Sequence, residues 1–332
     1  MKGKKHLLDI VLLIYLSHLG KGAAVIAKHK FTLFGCAAIL LWSCLTGLAR
    51  NVTEQLGPIG GAAMIYSVAA LFLLMVMGVP KLKQFSARYL LIGGGLFVCY
   101  EIFFALALGM ANDRHQAMEM AVVNYLWPAL TVLLAVIVSK KKTHWLVYPS
   151  IALAFVGVAW SITGEQGLSL AQISANVATN PLTYFLAFSG AFIWAIYCNI
   201  TQRMANGKNA ITLFFIATAL TLWLQYALSD EPMMTLTFGA GVDLLMTGVF
   251  MGSGYALWNR AIIGGNMVML ATLSYFTPIF STLLSGVILS VSLHATFWQG
   301  VVMVTLGSLT CWWVTRERQK DPSIVTAAQQ SP

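Results

Sequence analysis

Apolar residues in this chain gather into long windows, and polar residues are confined to the gaps between them. From residue 31 onward, ten windows stand out, at 31–49, 59–79, 89–110, 117–138, 145–163, 181–202, 210–228, 243–262, 267–290 and 296–314. Each is long enough for a helix to cross about 30 Å of hydrocarbon, allowing for tilt and flanking residues. The gaps carry turn-forming and charged residues: Gly57-Pro58, Pro80-Lys81, Lys140 to Lys142, Asn180-Pro181, Asn206-Gly207 and Asp230-Glu231-Pro232. The pattern predicts an all-α polytopic membrane protein of ten transmembrane helices. The first 30 residues stand apart. Leu7 to Leu19 is a short apolar run behind Lys2, Lys4 and Lys5, like a signal peptide, but Asp9 interrupts it and Lys21, Lys28 and Lys30 follow. That segment is expected to be a cytoplasmic extension with an interfacial helix.

The windows repeat. Asn124-Tyr125-Leu126-Trp127-Pro128 returns as Ser274-Tyr275-Phe276-Thr277-Pro278, 150 residues later, and each copy falls midway along a window. At the same offset Gly157 pairs with Gly307 and His144 with His294; at a slightly different one Trp42 pairs with Trp194. A proline inside a helix removes one donor and frees the carbonyl four residues back, here Asn124 and Ser274. In hydrocarbon such a break is tolerated only against protein or a wet cavity. Each half has five windows. A tandem unit with an odd number of spans re-enters the membrane from the opposite side, so the halves are expected to be inverted copies around a central cavity. Pro128 and Pro278 are the expected hinges.

Composition and charge fix the setting. The chain is 58% hydrophobic and only 9% charged, with a mean hydropathy of +0.78. Soluble domains carry about 25% charged residues, so a large soluble fold is excluded. The net charge of +9 does not mark a nucleic-acid partner, because the basic residues lie between windows. With both termini on one side, eighteen of the twenty Lys and Arg fall on that side, and only Arg50 and Arg114 fall opposite. The positive-inside rule makes that side, with both termini, cytoplasmic. The expected division is a cytoplasmic extension at 1–30, five-helix repeats at 31–163 and 181–314, a periplasmic connecting loop at 164–180, and a cytoplasmic tail at 315–332.

Candidate chemistry is sparse. Glu101 is the acidic residue near the centre of a window, where a charge costs roughly 2.5–3.5 kcal/mol on insertion scales and marks a substrate or ion path. It would pair with a substrate ammonium or carry a proton. Glu119 and Asp243 lie near outer window ends and are expected to be solvated or interfacial. Trp42, Tyr66, Tyr100, Tyr125, Trp127, Trp194, Tyr197, Tyr255, Trp258 and Tyr275 all fall at midspan, although Trp and Tyr ordinarily gather at membrane interfaces. An aromatic wall suits flat, apolar or cationic ligands. Asn124 beside the break is the favoured site asparagine, whereas Asn199 is expected to bridge helices. The five scattered cysteines, without a C-x-x-C, indicate neither a disulfide framework nor a metal site. Phosphate-loop, His-Glu-x-x-His and Gly-x-Ser-x-Gly motifs are absent from the sequence. No cofactor is implied, and transport would not be powered by ATP hydrolysis within this chain.

Longer segments carry a family likeness. Leu41-Trp42-Ser43, Gly57 to Ala63, Tyr100-Glu101-Ile102, His115-Gln116-Ala117, Val123 to Leu130, Pro181 to Phe188, Gly190 to Cys198, Ser274 to Pro278 and Phe297 to Gly300 resemble the drug/metabolite transporter superfamily with two EamA-type repeats. The likeness covers nearly everything from 31 to 314. It implies a basket of helices whose first, third, fourth, sixth, eighth and ninth members line a cavity. It also implies a bacterial inner-membrane exporter of Phe, Tyr, Trp and related amphipathic compounds, working by alternating access. A broader exporter of drugs, cations or metabolites is the alternative within the fold, and a channel or membrane enzyme the alternative outside it. Oligomeric state is not legible.

Overall fold

The computed structural model describes residues 30–139, 144–163, 169–205, 208, 210–264 and 273–315. The expected interfacial helix before residue 30 and the tail beyond 315 lie outside these. The described residues are helical and contain no strand. Seven helices are long and apolar enough to cross a membrane, and three apolar helices are shorter. Each overlaps one window of the sequence. We label them α1 (Lys30–Leu56), α2 (Pro58–Met77), α3 (Gly94–Gly109, entered through a π-turn at Tyr89–Gly93), α4 (Arg114–Asn124), α5 (Trp127–Ser139) and α6 (Val147–Thr163). Then follow α7 (Leu170–Thr179), α8 (Pro181–Met204), α9 (Ile211–Ala227), α10 (Phe238–Gly264), α11 (Thr277–Leu289) and α12 (Ala295–Thr315). The protein is a multi-pass membrane protein.

The two proline motifs break their helices more sharply than a kink would. α4 stops at Asn124, Tyr125 and Leu126 form a turn, and α5 starts at Trp127 with Pro128 in its first turn. Residues 273 and 274 are helical, Tyr275 and Phe276 form a turn, and α11 starts at Thr277 with Pro278 in its first turn. Proline suits that position because the first helical amides have no partner inside the helix. Both breaks use the same two turn positions, 150 residues apart.

α6 and α12 pack almost backbone to backbone. A methyl group at Gly300 would lie 2.5 Å from the Gly157 carbonyl oxygen, and one at Gly157 would lie 2.7 Å from that of Gly300. One at Gly307 would lie 2.6 Å from the Ser150 carbonyl oxygen. These contacts are reciprocal under the 150-residue offset, since 157 maps to 307 and 150 to 300. Small residues that let helices approach this closely replace the hydrophobic drive that lipid does not supply. α10 meets α2 the same way, with Gly248 against Val68 and Gly252 against Phe72.

The segment 164–180, expected as a loop, contains a helix. Ser169 caps α7 by accepting from the Gln172 amide, and no α7 residue is buried. Ten residues are too few to span, so the apolar windows do not register this helix. The Asn176 amide donates to the Ile162 carbonyl and ties α7 to the end of α6.

Candidate functional site: an aromatic cavity with one carboxylate

α1, α2, α3, α8, α10 and α12, with the two broken segments, surround a cavity of about 320 Å³. Small-molecule pockets run from about 300 to 1,000 Å³, and this cavity falls at the lower end of that range. The resemblance implied walls from the first, third, fourth, sixth, eighth and ninth spans. The structure adds the second, through Ala62, Ile65 and Tyr66, and the tenth, through Ser308.

The nominated residues fall as follows. Trp42, Tyr66, Tyr100, Glu101, Asn124, Tyr125, Trp127, Trp194, Tyr255, Trp258 and Tyr275 line the cavity, as do Pro128 and Pro278. Tyr197 is not among the lining residues; its ring stacks on Trp194 at 4.8 Å and meets the edge of Phe97. Trp194 centres one wall, with Tyr100 at 4.4 Å and Trp127 edge-on at 6.4 Å. Trp42 centres the other, with Tyr255 at 5.2 Å and Trp258 at 5.3 Å. A buried Phe97 touches Trp194, Tyr197, Phe214, Phe215 and Tyr255, so it fixes the rings from behind.

Glu101, on α3, is 4% exposed. Tyr66 of α2 donates its hydroxyl to one carboxylate oxygen at 2.5 Å, and Tyr255 of α10 donates to the other at 2.9 Å. An ionised carboxylate has about four acceptor positions, so two remain for a ligand. Asn124 accepts from the Tyr100 hydroxyl at 3.4 Å through Oδ1. Asn199 donates to the Thr131 carbonyl and joins α8 to α5, the bridging role expected of it.

One end of the bundle is tied together by polar links that the sequence alone does not pair. Arg50 and Arg114, the two residues that break the charge asymmetry, converge on Glu54, at 2.9 and 2.8 Å. Arg50 also donates to the carbonyls of Leu108, Gly109 and Ala111, some of which the end of α3 leaves without helical partners. Arg114 reaches the Leu289 carbonyl at the end of α11. Gln55 donates to Asp243, joining α1 to α10. Glu231 accepts from the amides of Ile59 and Gly60 at 2.9 Å each and so caps α2. Gly57 permits this approach: its φ is +85°, and a Cβ there would lie 2.0 Å from a Glu231 oxygen.

Glu119 is not solvated, contrary to expectation. It is 7% exposed, accepts from the Tyr184 hydroxyl of α8, and pairs with His115 at 3.3 Å. Its window position suggested solvent, but α8 covers that face of α4. Asp243 is only half-buried.

Known proteins resemble this chain. A model of the EamA-like transporter family matches residues 181–313. The aromatic amino acid exporter YddG of Salmonella typhimurium is 49% identical over 291 residues, covering 88% of this chain and 99% of its own. That of Escherichia coli is 48% identical, covering 87% and 99%. That of Ancylobacter novellus is 27% identical, covering 78% and 88%. The chain belongs to the YddG family of EamA-like transporters. As a member of that family it is a transporter and not an enzyme. A solved crystal structure at 23% identity superposes with a TM-score of 0.60, covering 92% of this chain and all of that one, so the fold is shared.

Proposed function

We propose that the protein exports aromatic amino acids and related amphipathic compounds across the bacterial inner membrane by alternating access. The observation that carries this reading is the aromatic cavity closed around a single carboxylate. Its relatives in Salmonella typhimurium and Escherichia coli are named for export of this substrate class. The ring of the substrate stacks between the Trp194 and Trp42 walls, and Glu101 takes its ammonium.

In this reading ten helices cross the membrane as two inverted halves, at 31–163 and 181–314, with both termini cytoplasmic. The matched breaks and the reciprocal Gly157–Gly300 and Ser150–Gly307 contacts support it. A pseudo-two-fold axis then passes between α6 and α12, and the turns before Pro128 and Pro278 serve as hinges. In this reading the Glu54 end faces the periplasm, and its ion pairs hold that end together in part of the transport cycle.

Trp194→Ala tests the aromatic role. It removes the ring on which the substrate is proposed to stack, one that also meets Tyr100, Trp127 and Phe97. Loss of one aromatic pair with the substrate, at up to about 1.5 kcal/mol beyond area, is expected to lower phenylalanine transport about tenfold. Unchanged transport overturns the stacking role; losses confined to quaternary amines favour the broader exporter.

Glu54→Gln tests the closure. Losing charge-assisted bonds at a quarter-exposed carboxylate is expected to favour opening by about 1–2 kcal/mol, a five- to thirtyfold shift in the open-to-closed ratio. Cys198 lines the cavity. With the other four cysteines changed to serine, its labelling in whole cells by a membrane-impermeant maleimide should rise by that factor. Unchanged labelling removes Glu54 from the gate.

A further inference from the structure

α1 and α11 run side by side from the cavity to the Glu54 end, and polar contacts join them at three levels. At the cavity the hydroxyls of Thr46 and Ser281 meet at 3.4 Å. One turn farther along α11, the Gly47 amide donates to Ser285 Oγ at 3.0 Å. At the end, Arg114 ties the Glu54 carboxylate of α1 to the Leu289 carbonyl of α11. Glu54 follows Thr46 by eight residues, and Leu289 follows Ser281 by eight, so each helix covers about 12 Å of the seam. Thr46, Ser281 and Ser285 are all buried. A methyl group at Gly47 would lie 3.0 Å from the Ile288 side chain, a looser fit than the 2.5 Å from backbone at Gly300. Hydroxyl contacts suit a seam that is dry in one state and wet in another. Each hydroxyl exchanges its protein partner for water at little net change, whereas an apolar seam resists wetting. α11 is also a short segment that starts at the Tyr275–Phe276 turn. Tyr125, in the other break, lines the cavity, and its hydroxyl reaches both Thr46 and Ser281.

From this we infer that the α1–α11 seam is the outer gate of the transport cycle, and that Tyr125 is the positioning residue that couples it to the cavity. The inference rests on the inverted halves and on the cavity being the substrate site, as proposed above. Parting α11 from α1 at Thr46 opens a path along the seam from the cavity to the Glu54 end, so the hydroxyl contacts and the Glu54 ion pairs release together. A substrate that displaces Tyr125 draws its hydroxyl from both helices at once, and so carries occupancy to the gate. The repeat supplies a counterpart. At the offset that pairs Trp42 with Trp194, Gly47 corresponds to Asn199, and at 150 residues Ser281 corresponds to Thr131. Asn199 donates to the Thr131 carbonyl and joins α8 to α5, so the equivalent positions also meet in the other half. Inversion places that second seam toward the cytoplasm.

A cross-link separates a moving seam from a fixed one. The Thr46→Cys/Ser281→Cys pair is placed in full-length protein whose five native cysteines are changed to serine. Copper phenanthroline joins the thiols as a disulfide, and mercury(II) bridges them at wider spacing. Phenylalanine flux in liposomes is expected to be lost on cross-linking and to return with excess thiol. Flux that survives a complete cross-link makes the seam a fixed contact and overturns the gate, as does failure of both reagents to join the pair. Tyr125→Phe and Ser281→Ala test the same seam without paired cysteines. Each removes one hydroxyl, so labelling of Cys198 from outside the cell, with the other four cysteines changed to serine, is expected to rise about two- to tenfold, the scale of one hydrogen bond. The two changes together should give less than the product of the separate rises, because they share a contact. Unchanged labelling in Ser281→Ala overturns the gate; unchanged labelling in Tyr125→Phe, or rises that multiply, overturns the coupling. Loss of flux in the reduced pair alone leaves the labelling to decide. Loss in the unaltered protein overturns the functional reading instead, and the labelling still reports on the seam.

Discussion

Glu101→Gln is expected to cut phenylalanine transport about 10- to 100-fold while the protein still folds, the range set by loss of one charge-assisted hydrogen bond. Glutamine keeps the shape and can still accept from one of the two tyrosines that hold this side chain, Tyr66 and Tyr255. What it loses is the negative charge that meets the substrate ammonium at a buried position, where charges are less screened than in bulk water. Glu101→Leu is expected to behave differently. It leaves two buried tyrosine hydroxyls without an acceptor and so lowers the melting temperature as well as the transport rate. The pair of variants separates a binding carboxylate from a structural one. Transport by Glu101→Gln at the unaltered rate would assign Glu101 to helix bridging alone.

The second large effect lies far from the cavity. Gly300→Leu is expected to prevent stable folding, because its first side-chain atom would sit 2.5 Å from the Gly157 carbonyl and 2.8 Å from the Ser161 backbone nitrogen. Overpacking costs about 1–3 kcal/mol where side chains can yield, and here the obstacle is backbone, so the cost lies at or above that range. Gly95→Ala is the matched control. A Cβ at Gly95 meets nothing within 4 Å, and alanine is the better helix former by about 1 kcal/mol. Detergent-solubilised yield and melting temperature should fall sharply for the first variant and hold or rise for the second. Comparable behaviour of the two would remove the α6–α12 seam as a constraint on the fold.

Much of this molecule is legible before folding, and the remainder is lost for a definable reason. Window length and charge placement locate the apolar helices, because lipid imposes the same demand on every span. The midspan position of Glu101 and of the tryptophans marks them for the cavity, because polar and aromatic groups at that depth need a special environment. The two proline motifs place the breaks to within three residues of each proline. What stays hidden depends on which helices meet. Glu231 caps a helix 172 residues away, and Tyr255 reaches Glu101 across 154. Glu119 reads as solvated until α8 is laid over it. Ser308 carries no signal at all in a serine-containing apolar helix. Its place in the cavity wall becomes visible only in three dimensions. Arg50 and Arg114 are the exception that could have been found, since both violate the charge rule and both resolve on Glu54.

Phenylalanine is expected to cross a membrane through this protein alone. Purified full-length chain in liposomes should carry labelled phenylalanine with saturable kinetics, with tyrosine and tryptophan competing and Trp194→Ala largely inactive. A pH gradient that drives accumulation would add proton coupling, and simple equalisation would make the protein a uniporter; either agrees with the cavity described. Vesicles that pass no phenylalanine, or whose flux is blocked by quaternary amines and untouched by tryptophan, would contradict it.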